Sequence, residues 1–177
     1  MHFTNHWDET EIQSRLQAAE DTTLATDLVY RVYTSQLIGQ IPDLVMHGGG
    51  NTSCKSVTTD IHGNKIDVLC VKGSGWDLGT IEAPGLPAVR LDRLLELESL
   101  KALSDEEMVN VQRANLLDSA APNPSVETLL HAFLPHKFID HTHATPFLAL
   151  ANLPDAEAVM EEIFGGEMVY VPYVMPG

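Results

Sequence analysis

A chain of 177 residues with 44% hydrophobic and 20% charged residues is long enough to bury one core and has the composition of an ordinary globular domain. Acidic residues (25) outnumber basic residues (10), and the net charge of -15 repels nucleic-acid phosphates and anionic lipid surfaces. We therefore expect neither nucleic acid nor a membrane as a partner. Because salt screens charge over roughly 8 Å, a local basic spot can still hold a small anion.

Cysteine usage and the N-terminus bear on the cellular compartment. Cys54 and Cys70 are isolated and neither belongs to a CxxC pair, so we expect reduced thiols rather than a disulfide framework. The N-terminus has neither the basic region nor the apolar run of a secretory signal, and no stretch is apolar enough to span a bilayer. These features predict a cytoplasmic protein.

The first half of the chain predicts two helices followed by two strands. Between residues 8 and 37, apolar residues recur mostly every three to five positions, with a break near Thr22. The short apolar run 44–46 predicts a strand, and the polar, glycine-rich segment 47–53 predicts a flexible loop. Segment 65–72 predicts a second strand, which pairs with the first through the intervening hairpin.

The second half of the chain mixes helices with one strand. A loop containing two prolines leads into a leucine-rich helix near 91–97, and Ser104 is placed to cap a helix with an acidic first turn. Segment 125–134 predicts a helix entered through a proline turn and stopped by Pro135. Segment 138–143 alternates like a strand, and residues 145–153 are expected to form another helix.

The last residues, 169–177, form an apolar, strand-like run without a charged or polar tail. A natural terminus more often frays into polar residues. We therefore expect the chain to be a fragment of a longer protein.

His141 and His143 are the first indication of a metal site. Because one residue separates them, both imidazoles project from the same face of a β-strand and can reach one metal ion. A catalytic zinc normally takes three protein ligands and leaves one position open, so a third ligand is needed. Taken alone, the pair is equally compatible with two histidines packed on a half-polar strand face.

Glu127 gives the histidine pair a chemical context. A helix that begins near Ser125 places the Glu127 carboxylate in its first turn, where the partly positive amide end keeps it ionised. An ionised carboxylate can approach a metal or abstract a proton. Without the histidines, a purely stabilising role for Glu127 and a capping role for Ser125 are the simpler interpretation.

Two loops rich in small residues are candidate anion sites. Segment 48–53 lacks the P-loop and dinucleotide patterns, but its amides, Asn51 and Ser53 can surround a phosphate. Segment 72–75 is a second such turn with a lysine beside it, and it misses the GxSxG pattern of a serine hydrolase. Each loop on its own is also compatible with an ordinary turn.

Taken in order, four segments resemble the class II aldolase/adducin family: Gly-Asn-Thr-Ser at 50–53, Lys-Gly-Ser-Gly at 72–75, Pro-Ser-x-Glu at 124–127 and His-x-His at 141–143. The resemblance covers roughly residues 24–177. It is greatest to the aldolase half of bifunctional aldolase/short-chain dehydrogenase proteins associated with rhamnulose-1-phosphate.

The resemblance implies an α/β fold with a central β-sheet flanked by helices, and usually a homotetramer with active sites between subunits. On this basis residues 1–177 form one class II aldolase/adducin-like domain that is incomplete at its C-terminus. A dehydrogenase domain, and with it NAD(P), is expected only in the part of the protein that would follow.

The resemblance also implies a role for each candidate residue. His141 and His143 would bind zinc, and Glu127 would be the acid/base that cleaves a ketose 1-phosphate to dihydroxyacetone phosphate and an aldehyde. The substrate phosphate would be held by residues of the two loops and the proline turn, namely Gly50, Asn51, Ser53, Ser74, Gly75 and Ser125. No histidine here matches the third metal ligand of the family, and Val126 stands where many members have a serine.

Two other functions remain open at this point. Adducin-type relatives keep the fold as a non-catalytic binding domain, although the retention of Glu127, His141 and His143 together argues against that function. A same-fold epimerase or decarboxylase would use the same metal site, and the sequence does not distinguish it from an aldolase.

Overall fold

The computed structural model describes residues 4–174, which form seven α-helices and four strands. In chain order these are α1 (Glu9–Ala18), α2 (Thr23–Gly39), β1 (Asn51–Thr59), β2 (Lys65–Val71), β3 (Ala88–Arg90), α3 (Leu91–Leu95), α4 (Asp105–Ala114), α5 (Thr128–Phe133), β4 (Phe138–His141), α6 (Thr145–Ala151) and α7 (Ala156–Phe164). None of the helices within the described residues is long and apolar enough to cross a lipid bilayer.

The four strands form one antiparallel sheet in the order β3-β2-β1-β4. The long strands β1 and β2 make a hairpin in which Cys54 faces Cys70. On its other side β1 pairs with the short strand β4, with Asn51 opposite His141. This register brings the start of β1 and the end of β4 to the same end of the sheet.

Both faces of the sheet are covered, because side chains alternate between faces along each strand. One face packs against α2, through Cys54, Val68 and Cys70 of the sheet and Leu24 and Leu28 of the helix. The opposite face packs against the short helices α3 and α5 through a second cluster, Leu69, Val71, Val89, Leu94 and Ala132. The prediction of an α/β fold with helices flanking a central sheet is confirmed.

Local capping explains where the predicted helices begin. The Thr22 side chain accepts a hydrogen bond from the Ala25 amide at the start of α2, so the predicted break between the first two helices is confirmed. At α4, Ser104 and Glu107 form a reciprocal capping box, in which each side chain bonds the other residue's backbone amide.

The strand predicted at 44–46 is wrong. The amides of Leu44 and Val45 both donate to the Ile41 carbonyl, which makes this segment a turn. The first strand instead begins at Asn51, inside the segment predicted to be a flexible loop. The hairpin partner of β2 is therefore residues 51–59, and the connecting turn contains Gly63 with a φ of 85°.

Three further element boundaries differ from the prediction. Helix α5 begins at Thr128 rather than near Ser125, and Glu127 lies at its N-cap position without a capping hydrogen bond. Strand β4 ends at His141, so His143 lies beyond it. Residues 169–174 form no strand and are largely exposed, and the rest of that run, 175–177, is outside the described residues.

Candidate active site

Glu127 is held between two neighbouring strands at one end of the sheet. Its Oε2 atom accepts a hydrogen bond from Asn51 Nδ2 at 3.0 Å. Its Oε1 atom lies 3.0 Å from His141 Nδ1, an ion-pair distance, although the geometry at Nδ1 is not that of a well-directed hydrogen bond. Because Asn51 and His141 are opposite each other in the register of β1 and β4, one carboxylate can contact both.

His143 lies next to His141 although it is outside the strand. The two imidazole centroids are 4.8 Å apart, and the ring planes are inclined by 57°. The backbone of His143 is fixed by a hydrogen bond from its amide to the Leu44 carbonyl, across the turn that precedes the glycine loop. A Cβ at Gly49 would lie 3.1 Å from His143 Nδ1, so the loop passes close to this ring because residue 49 is glycine.

The two loops rich in small residues are neighbours. The Lys72 amide donates to the Thr52 carbonyl, and Lys72 Nζ donates to the Gly48 carbonyl at 3.0 Å. The Gly48 amide in turn donates to Asp77 Oδ2, just beyond the second loop. The proline turn joins the same cluster, since the Ser125 amide donates to the Lys72 carbonyl.

Not all of the predicted phosphate ligands are equally available. Ser74 and Gly75 are exposed in the second loop, and Ser125 is half-buried. Gly50 and Asn51 are buried, and the amide group of Asn51 is already bonded to Glu127. Ser53 is fully buried and its hydroxyl is 2.7 Å from His131 Nδ1, so it lies in the interior.

The contacts of Glu127 set its protonation state. The neighbouring His141 imidazole is the main cause that lowers the pKa of Glu127 to about 2, and the Asn51 hydrogen bond adds to it while burial opposes both. The carboxylate is therefore ionised at neutral pH. This is the form that can accept a proton.

The side chains at this end of the sheet are of types that bind divalent metals. His141 Nδ1 is buried without a well-directed partner, His143 is exposed beside it, and a carboxylate is within reach, which is the donor chemistry of a divalent-metal site. Within residues 4–174, however, no group of three His, Cys, Asp or Glu side chains is arranged to hold an ion. The described residues thus bring two imidazoles together, and a catalytic zinc bound to both would need a further protein ligand.

Two residues near the site were given no role by the sequence. His131, on α5 one helical turn beyond Glu127, is completely buried and contacts Ser53 of β1. Lys72 is buried at the junction of the two loops. The sequence could have indicated His131, because it lies four residues after Glu127 and therefore one helical turn away from it. No sequence pattern indicates that a lysine at the end of a strand is buried.

The fold, and the cluster of Glu127, His141 and His143, can now be compared with known protein families. Residues 32–177 match the class II aldolase and adducin N-terminal domain family, and the chain belongs to this family. Class II aldolases are generally lyases that depend on a divalent metal ion, act on small sugar phosphates and are commonly oligomeric.

Two known proteins illustrate the relationship. Over 146 residues, 82% of its length, the chain is 43% identical to the uncharacterized oxidoreductase YuxG of Bacillus subtilis, and it spans about a fifth (21%) of that protein. It is 40% identical to the N-terminal class II aldolase domain of a conserved protein from Thermoplasma acidophilum. The TM-score is 0.84, over 99% of this chain and 76% of the other.

Proposed function

We propose that this chain forms part of a zinc-dependent aldolase that cleaves a ketose 1-phosphate of the rhamnulose-1-phosphate type to dihydroxyacetone phosphate and an aldehyde. His141 and His143 are the proposed metal ligands, and Glu127 is the proposed acid/base. The observation that carries the proposal is the contact of one ionised carboxylate with both Asn51 and the His141 imidazole, next to a second imidazole.

The zinc ion, when bound, would polarise the ketose carbonyl. The C4 hydroxyl of the ketose gives up its proton to a base as the bond between C3 and C4 breaks, which forms the aldehyde and leaves the electron pair on C3 of the dihydroxyacetone phosphate fragment, where a proton is then taken up. Glu127 exchanges the proton at that carbon, and Asn51 holds the carboxylate in place through its hydrogen bond.

We also propose that this chain is one part of a longer protein that contains a second enzyme domain. The relative YuxG is named an oxidoreductase and is about five times as long as the matched segment, which supports an aldolase fused to a dehydrogenase that uses NAD(P). Such a dehydrogenase would consume the released aldehyde. The third metal ligand and the tetramer expected for the family are proposed for this longer protein.

A same-fold epimerase or decarboxylase is the second candidate, because it would need the same ionised carboxylate and imidazole pair. The two functions differ in their products. An aldolase releases a free aldehyde, whereas an epimerase leaves the carbon skeleton intact. A non-catalytic binding domain is disfavoured because it has no need for the Glu127–His141 contact.

Substitution of the proposed base and of a proposed ligand tests the assignment in the longer protein. We expect Glu127→Gln to retain zinc while aldehyde release falls by about 100-fold or more, since a neutral amide cannot accept the proton. We expect His141→Ala to lose both zinc and activity. Zinc by atomic absorption and aldehyde release are measured on the same samples, and full cleavage by Glu127→Gln excludes the proposed mechanism.

A further inference from the structure

Ser53 of β1 and His131 of α5 form a hydrogen-bonded pair in the interior beside the candidate site. Both side chains are completely buried, and the Ser53 hydroxyl lies 2.7 Å from His131 Nδ1. Within residues 4–174 neither side chain makes another hydrogen bond. Because an unpaired polar group is costly in the interior, each of the two side chains keeps the other in place.

Helix α5 depends on contacts of this kind because it is short. It has six residues and no side-chain cap, and a helix of this length is stabilised by packing rather than by its own hydrogen bonds. Its apolar contacts in the cluster that covers the sheet are made by Ala132, Leu129 and Phe133, and such contacts are not directional. Within the described part of the chain, the bond made by His131 is the only side-chain hydrogen bond between residues 128–133 and the sheet.

His131 is connected directly to Glu127. The His131 amide donates a hydrogen bond to the Glu127 carbonyl at 3.2 Å, so the two residues lie one helical turn apart. Ser53 and Asn51 are two residues apart and lie on the same face of β1. Strand β1 is paired at Ser53 with β2 on one side and with β4 on the other, and it is therefore a firmly held support for the helix.

We propose that Ser53 and His131 are positioning residues, whose contact holds the start of α5 on β1 and so keeps the Glu127 carboxylate beside Asn51 and His141. The hold on α5 rests on the burial and pairing of the two side chains. Its consequence for catalysis rests on the proposed function of Glu127. Ser53 thus acts from the interior, through His131, and not as a ligand of the substrate phosphate.

Three substitutions and one control test the proposal in the longer protein. Ser53→Ala and His131→Leu each remove the contact, whereas His131→Asn keeps an amide that can bond the Ser53 hydroxyl. The matched control is Ser56→Ala, which removes another buried hydroxyl of the same strand, one that donates to Asp27 of α2 at 2.7 Å. For each protein, kcat and KM for aldehyde release are measured together with the zinc content. Hydrogen exchange of residues 128–134, followed by mass spectrometry, reports on α5 without turnover.

We expect Ser53→Ala and His131→Leu to lower kcat by about 10-fold or more, because a small displacement of a catalytic group is costly. KM and zinc content should change little, since the substrate and the metal contact neither residue. The amides of α5 should exchange faster in both variants. His131→Asn should regain most of the lost kcat, and Ser56→Ala should match the wild type in kcat and in the exchange of α5.

Other results overturn the proposal. A raised KM with unchanged kcat would make Ser53 a substrate ligand, and faster exchange of α5 with unchanged kinetics would make the contact purely structural. An equal loss of kcat in His131→Asn or in Ser56→Ala would show that the bond between Ser53 and His131 is not responsible. If the wild type releases no aldehyde, the proposed function fails instead, and hydrogen exchange alone decides. Faster exchange of α5 in Ser53→Ala then supports the hold on this helix, and unchanged exchange refutes it.

Discussion

At the scale of single residues, His131 shows how the interior next to the site responds to pH. Its ring is completely buried, its Nδ1 atom contacts Ser53 Oγ at 2.7 Å, and its Nε2 atom has no hydrogen-bond partner among residues 4–174. Burial is the main cause that lowers the pKa of His131 to about 4, although the Glu127 charge opposes the effect. The folded state therefore holds this imidazole neutral.

This leads to a prediction for acid stability. The unfolded chain protonates His131 near pH 6.5 and the folded chain only near pH 4, so the unfolded state binds more protons between these values. The stability conferred by the neutral ring is complete above pH 6.5 and is lost as the pH falls to 4. The loss should be roughly 3 kcal/mol in the free energy of unfolding.

Urea denaturation at several pH values between 7 and 4 measures this loss. His131→Asn is the matched variant, because its amide can replace the contact of Nδ1 with Ser53 but does not titrate. We expect its free energy of unfolding to fall less steeply with pH than that of the wild type. Equal slopes for the two proteins would show that His131 is not the group responsible.

At the scale of elements, the site depends on how α5 is placed along β1. Two contacts join them: Asn51 with Glu127, and Ser53 with His131. Residues two apart on a strand are about 6.6 Å apart, and residues four apart on a helix are about 6 Å apart along its axis. The matching spacings allow both contacts to form at once, which fixes the helix start that carries Glu127.

The loop of residues 47–50, which precedes β1, is the second element that shapes the site. Substitution of Gly50 tests how closely this loop packs against its neighbours. Its φ is 70°, and a Cβ there would lie 2.6 Å from Val45 Cγ1 and 2.7 Å from the His141 carbonyl oxygen. We expect Gly50→Ala to lower the free energy of unfolding by about 3 kcal/mol, from backbone strain and overpacking together. Chemical denaturation measures it.

Gly63 provides the matched control for this prediction. Its φ is 85°, but a Cβ there would meet nothing within 4 Å, so Gly63→Ala should cost only the backbone strain, about 1 kcal/mol. Equal losses for the two variants would mean that the close approach of Gly50 to His141 is unimportant.

The sequence predicts a helix or strand correctly where the residues that determine its ends are close together in the chain. The helix cap at Ser104 and the helix break before Thr23 depend on neighbouring residues, and both were predicted, whereas the return bond from Glu107 that completes the capping box was not. The start of β1 was missed because Asn51, Thr52 and Ser53 are polar residues buried by distant partners. Those partners, in α2, α5 and β4, have no signature in the segment itself.

The sequence predicted which residues lie together in the candidate site, but it did not predict which of them are buried. The motif residues Glu127, His141 and His143 lie together in the structure, and their catalytic roles remain predictions. The interior position of Ser53 and the burial of Lys72 depend on contacts made by residues far apart in sequence. A single sequence carries no record of such contacts.

At the scale of the whole molecule, the chain is an acidic domain of the class II aldolase and adducin N-terminal family that covers about a fifth of its relative YuxG. The two imidazoles beside Glu127 are the metal ligands that we propose for this chain. We propose that carbon–carbon bond cleavage depends on the metal that they bind.

The most direct test measures dihydroxyacetone phosphate release from rhamnulose-1-phosphate by the longer protein, before and after the metal is removed with a chelator. We predict that release falls by about 100-fold or more on metal removal and returns when zinc is added, because the carbonyl is no longer polarised without it. Calcium, which prefers oxygen ligands, serves as the control and should restore little activity. An unchanged rate in the metal-free protein would show that cleavage does not depend on a metal.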